Sequence, residues 1–367
     1  MYAYGTNIPS GRSVDGRIHP HWSGAAKHDE VAMKTAFVFT VDVESMSGGQ
    51  PSRDIWGELP GQDGSFGIER IMDLLEAGGA RGTFFLNVYE IAKHGEDSIA
   101  RAARLIHSRG HDLELHTHPR PMYTFYGMSQ APLGEQEAIL RKGISLLESW
   151  TGKKAIAHRA GAFSANVDTL RAVAREGLLA DCSLSAGSRV FVPLVHELSA
   201  ANVMQKVEGV WEIPATCFNQ VRVGSWSSKR VLDIEGCSLP EIKRVTRRAV
   251  RKGVPSVCIL MHSFSLSRTG RPDRRVMHRL EALLAWLSRQ KDIEVSTVEK
   301  ISRSLAGKDL PHASEYIPVT GFWLTWCRAL RCWNDGWKNL AVAVAGATCL
   351  LILTVVLVDV GRMVAKF

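Results

Sequence analysis

Between Lys34 and about Ala306 the chain alternates short apolar runs with longer stretches of helical period, and this alternation limits the possible folds more than any other feature. Strands are expected at 36–42, 82–86, 112–118, 155–158, 177–182, 210–214, 256–261 and 293–296. Helices are expected at 67–77, 97–109, 133–150, 166–175, 240–252 and 272–289, several of them opening at Pro, Asn or Asp. A strand followed repeatedly by a helix implies a parallel sheet, and this many units imply an α/β barrel that is closed or nearly so. In such folds chemistry collects where the strands end. With 45% apolar and 22% charged residues, the 367-residue chain is not disordered, collagen-like or a disulfide scaffold.

The chain divides into an irregular arm (1–33), the barrel region (34–306), a linker and membrane-approach segment (307–339), an apolar run (340–358) and a short tail (359–367). The run LAVAVAGATCLLILTVVLV carries no charge over 19 residues. At about 1.5 Å per helical residue it nearly matches the roughly 30 Å hydrocarbon layer, so a C-terminal transmembrane helix is expected. Trp323, Trp326, Trp333 and Trp337, with Arg328, Arg331 and Lys338, precede it as interface dressing. The first 34 residues hold no signal-like apolar run, so the expectation is a tail-anchored protein with its bulk in the cytoplasm. Seven scattered cysteines without a CxxC pair agree with a reducing compartment, and Cys182, Cys217 and Cys258 read as core filler. The net charge of +8 is regional, because residues 220–308 hold 19 basic and 8 acidic side chains. Along 241–252, Arg244, Arg248 and Arg251 share a helical face opposite Ile242, Val245 and Ala249. No stacking aromatics are interleaved, so an anionic membrane surface is expected as partner in preference to nucleic acid.

Five strand ends carry reactive side chains. Asp42 and Glu44 follow the first strand on one side, since side chains alternate. In the third, Asp112, Glu114, His116 and His118 share a face while Leu113 and Leu115 take the other. A His-x-His pair beside a carboxylate is a common way to hold a divalent cation. Arg159 stands at the next strand end and needs an acidic partner if buried, with Asp42 the natural one. His262 and Ser263 follow 256–261, and Asp181 with Ser183 forms a fifth strand end.

In order, Thr40-Val41-Asp42-Val43-Glu44, Gly110-His111-Asp112 leading to His116-Thr117-His118-Pro119, Arg159-Ala160-Gly161 and Leu260-Met261-His262-Ser263 resemble the motifs of the polysaccharide deacetylases of carbohydrate esterase family 4. The resemblance covers about 36–304 and implies a distorted (β/α)7 barrel. Three positions depart from the family's pattern: Arg120 stands where the second histidine usually falls, Glu44 replaces an aspartate, and Gly161 replaces a proline of the arginine motif.

The resemblance implies a metal-dependent deacetylase removing an N-acyl group from an amino sugar. A divalent metal, zinc foremost, is expected on Glu44, His116 and His118, with Glu114, Asp181 and His111 as supporting partners. Asp42 is the expected general base, held by Arg159, and His262 the acid for the departing amine. Backbone N–H groups near Ala162 or Phe163 are expected to help the metal stabilise the oxyanion. The anchor and basic region favour a lipid-linked or nucleotide-linked intermediate of cell-envelope polysaccharide, a glycan or glycolipid at a membrane. Two alternatives stay open: a metal-independent amidohydrolase of the same fold acting on a small cyclic amide, and a noncatalytic membrane-tethered glycan-binding module.

Overall fold

The structure, a computed structural model, describes residues 34–120, 122–187, 194, 198, 201–223, 226–308 and 315–331. The strands are β1 (Thr35–Val43), β2 (Thr83–Asn87), β3 (Asp112–Thr117), β4 (Ala157–Ala160), β5 (Ala180–Asp181), β6 (Gln205–Val207), β7 (Val210–Glu212), β8 (Cys217–Val223), β9 (Trp226–Val231), β10 (Ser256–His262), β11 (Ser267–Arg268), β12 (Arg271–Pro272) and β13 (Ile293–Ser296). Apart from shorter turns, the helices are α1 (Ile68–Ala77), α2 (Glu96–Ser108), α3 (Leu133–Thr151), α4 (Val167–Arg175), α5 (Leu239–Arg251), α6 (Arg274–Leu287), α7 (Val298–Leu305) and α8 (Phe322–Arg331).

The main sheet runs β10-β1-β2-β3-β4-β5-β7-β6, with β13 also paired to β1. The strands from β10 to β7 are parallel, as the strand–helix alternation requires, and only β6 at the edge is antiparallel. The barrel is incomplete, because β7 and β10 form no ladder with each other. An irregular stretch bridges them: Thr216 N–H donates to the Cys258 carbonyl (3.2 Å) and Leu260 N–H to that of Leu232 (2.9 Å). The antiparallel β8–β9 hairpin inserted there has no counterpart in the sequence expectation.

Strand parity sorts the core into two layers. Phe37, Phe39, Val41 and Val43 of β1 join Ile71 and Leu75 of α1 and Leu280 and Leu284 of α6 in the layer between sheet and helices. Val38, Phe85, Ala157, Ala180, Trp211 and Cys258 line the interior, where Val298, Ile301 and Leu305 of α7 join them. Helix α7 sits at the strand beginnings: Val298 N–H donates to Thr83 Oγ1 and Glu299 N–H to Asp112 Oδ2, both 2.9 Å. It plugs the lower end and leaves the strand C-termini as the open mouth. Strand β4 begins two residues later than expected because the N–H groups of Ile156 and Ala157 both donate to Glu114 Oε2 at 2.7 Å.

The expected transmembrane helix is corrected: among the described residues no helix is long and apolar enough to cross a membrane. The apolar run 340–358, the arm 1–33 and the tail 359–367 lie outside the described residues. Helix α5 buries Ile242, Val245 and Ala249 as its pattern requires. Part of its basic side is engaged within the fold, with Lys243 and Arg247 over the Trp286 ring, and its Glu241 pairs with Arg328 of α8 at 2.9 Å.

Helix α3 approaches β3 at Gly143, where an added Cβ would lie 2.6 Å from Leu115 Cδ1 and from Tyr89 Oη. A larger side chain there must lift the helix from the strand that carries His116. Gly143→Val is expected to destabilise the fold by about 1–3 kcal/mol, the usual penalty of overpacking. Urea denaturation checks this, and an unchanged midpoint contradicts it.

Candidate active site

Asp42 closes the inward row of β1, and the parallel register sets it beside His262 of β10. Its Oδ1 accepts from Arg159 Nη1 at 2.7 Å, and both side chains are buried. Burial works to discharge Arg159, but the Asp42 carboxylate outweighs it and raises its pKa. The guanidinium stacks 4.3 Å from the Phe85 ring centroid, and Arg159 Nε donates to the Cys182 carbonyl.

Glu44, two residues on, is clamped through its backbone. Ser263 Oγ donates to its carbonyl at 2.9 Å, while Glu90 accepts from both the N–H and the hydroxyl of Ser45 at 2.7 Å. Its Oε2 lies 2.8 Å from His118 Nε2 and 3.6 Å from His116 Nε2. Burial pushes the Glu44 carboxyl upward, but the two histidines overcome this and hold it well below the usual range.

His116 is oriented by Arg159, whose carbonyl accepts from His116 Nδ1 at 3.0 Å. A carbonyl can only accept, so a proton is assigned to Nδ1 and Nε2 is the ring nitrogen left for a ligand. That Nε2 is buried with no hydrogen-bond partner, and it faces Glu44. His118 lies edge-on to His116, ring centroids 5.0 Å apart, and its N–H donates to Asn87 Oδ1. Ligand atoms of Glu44, His116 and His118 all lie within 4.8 Å of one another. Two imidazoles and a carboxylate with one nitrogen already aimed inward fit a divalent cation and leave positions for water and substrate.

His262 faces this cluster from β10. Its Nδ1 lies 3.0 Å from Glu235 Oε1, its N–H donates to Ser265 Oγ, and its ring stacks on Phe264. Burial disfavours the imidazolium, yet Glu235 outweighs it and lifts His262 to about 10.

The expected supporting residues are not brought here. His111 bonds Gly82 and Glu76 on the far side of the sheet start. Glu114 caps the start of β4, and its deep burial, with Asp112 beside it, pushes its carboxyl well above the usual range. With Glu299 these two carboxyls form a second acidic group, at the lower plug. Asp181 points to the outer face, 2.5 Å from His158 Nδ1. Ala162 and Phe163 stand on the turn after Arg159 with left-handed φ of 51° and 56°. Sequence reasoning missed Glu235, Glu90 and Asn87. Glu235 sits inside the basic half of the chain and reaches His262 only because Ile234 N–H bonds the Leu260 carbonyl.

Residues 61–180 match the family model described as polysaccharide deacetylase. A peptidoglycan deacetylase-like protein of Gibberella zeae is 28% identical over 164 residues, 42% of this chain and 46% of that protein. The chain thus spans about half the length of this curated relative. Among solved structures, a family 4 carbohydrate esterase from Streptomyces lividans in complex with acetate is similar at 13% identity, covering 78% of this chain and all of that one, with a TM-score of 0.41. An allantoinase is similar at 16% identity over 81% of this chain and 96% of its own, with a TM-score of 0.47.

Two outcomes are expected. Asp42→Asn leaves Arg159 buried without its counter-charge and is expected to cost about 3–5 kcal/mol, much of it recovered by adding Arg159→Met. Urea denaturation of both variants checks this; a fully stable Asp42→Asn protein would contradict the pairing. Because the His262 pKa is raised in the folded state, its stabilising contribution is complete below about 6.5 and is lost as pH rises toward about 10. Glu235→Gln is expected to flatten that decline, read as urea midpoints across this window in metal-free protein.

Proposed function

We propose that this protein is a metal-dependent deacetylase that hydrolyses an N-acyl group on an amino-sugar glycan. The observation that carries the reading is the buried, unpartnered Nε2 of His116, turned with His118 toward Glu44. A divalent cation, zinc by preference for this donor set, would be held by these three residues and would supply a polarised water and acyl oxygen.

The remaining steps belong to the chain. Asp42, held 2.7 Å from Arg159, takes a proton from the attacking water as its oxygen bonds to the acyl carbon. His262 is protonated at neutral pH and turns Nδ1 to Glu235, so its Nε2–H is the proton offered to the amine nitrogen as the C–N bond breaks. Acid and base stand on the paired strands β10 and β1. Backbone N–H groups of Ala162 or Phe163 would add to the oxyanion's stabilisation. The lipid-linked or nucleotide-linked form of the sugar draws support from the basic face of α5, where Arg244 and Arg251 are exposed.

The test is metal analysis of the purified protein together with acetate release from an N-acetylated chito-oligosaccharide. The expected result is about one divalent ion per chain, loss of activity in chelator and recovery on adding the metal back. His262→Ala is expected to lower turnover by about 10²–10⁴-fold, the range of general acid–base catalysis. Acetate release that persists in a metal-free preparation would favour the metal-independent amidohydrolase, and wild-type binding without release would favour a glycan-binding module.

A further inference from the structure

Gly161 follows Arg159 by two residues, in the turn that leaves β4. A Cβ at this position would overlap Cδ2, Cε1 and Nε2 of the His118 ring, well inside van der Waals contact. The ring therefore rests on the bare backbone of Gly161, with His116 and Glu44 as its other neighbours.

Backbone freedom does not explain this glycine. Its φ lies outside the left-handed range, whereas the next two residues, Ala162 and Phe163, are left-handed at 51° and 56°. Glycine relieves strain at positive φ, and here the strained positions carry side chains while the unstrained one carries none. What position 161 requires is space, and His118 occupies it.

We infer that Gly161 is the positioning residue for His118: it admits a metal-ligating histidine two residues after His116 by leaving room for its ring. Two of the three departures noted in the sequence, Arg120 at the usual histidine position with histidine at 118 instead, and glycine at 161, are then one feature. This inference rests on the proposed metal site, because it concerns where His118 Nε2 is held relative to Glu44. A methyl group at 161 must drive the ring off this position or push the turn outward, and the flexible end of the histidine is the part that yields.

The test is calorimetric titration of metal-free full-length protein with Zn²⁺, comparing wild type, Gly161→Ala, His118→Ala and the double variant, with thermal midpoints measured alongside. Loss of groups that orient metal ligands typically lowers affinity about 10–100-fold, and Gly161→Ala is expected to fall in that range. In the His118→Ala background the space is empty, so adding Gly161→Ala is expected to change Zn²⁺ affinity less than about twofold and the thermal midpoint little. Equal losses of affinity from Gly161→Ala in both backgrounds, or an unchanged affinity in the first, would overturn the inference. A wild-type protein that binds no Zn²⁺ would instead overturn the metal site itself.

Discussion

Arg159 is the interaction on which the site's geometry depends. Its guanidinium holds Asp42, its carbonyl turns the His116 ring, and its Nε reaches the Cys182 carbonyl. One fully buried residue thus ties Asp42 on β1 to His116 on β3 and to Cys182 just after β5. Burying a guanidinium is costly unless paired and hydrogen-bonded, so these positions are coupled: the charge that keeps Arg159 buried is the carboxylate proposed to accept the proton.

Much of the remaining buried polarity supports this arrangement at one remove. On the outer face, His158 joins Thr117 to Asp181, and Asp181 accepts from the N–H of Ser183, whose hydroxyl in turn accepts from Ala160 N–H. These bonds tie the ends of β3, β4 and β5 together behind the site. At the lower end, Asp112 receives the first turn of α7 and Glu114 terminates the backbone before β4. The inward acidic residues of β3 therefore shape the scaffold, and only the histidines above them face the mouth.

Sequence alone could not separate Glu114 from His116. Both obey the same alternation, but residues two apart on a strand differ in depth by about 7 Å. Whether that depth belongs to the site or to the plug depends on α7, which lies nearly 200 residues later in the chain (the Glu299–Asp112 contact spans 187 positions). Glu235 was illegible for a related reason: it belongs to none of the expected strands or helices, and an irregular turn between β9 and α5 delivers it to His262. The transmembrane expectation rested on a hydropathy run outside the described residues, and no described helix supplies one.

The parallel sheet, the inward rows ending in Asp42, His116, Arg159 and His262, and the mouth they share were legible in the sequence, because parity and strand–helix order are local properties of the chain. The expected Arg159–Asp42 pair forms across 117 positions, but other contacts appear only in the assembled fold: Glu235 behind His262, and His118 against Gly161. Those contacts depend on depth, register and the space between strands. These are properties of the assembled sheet, and no single segment encodes them.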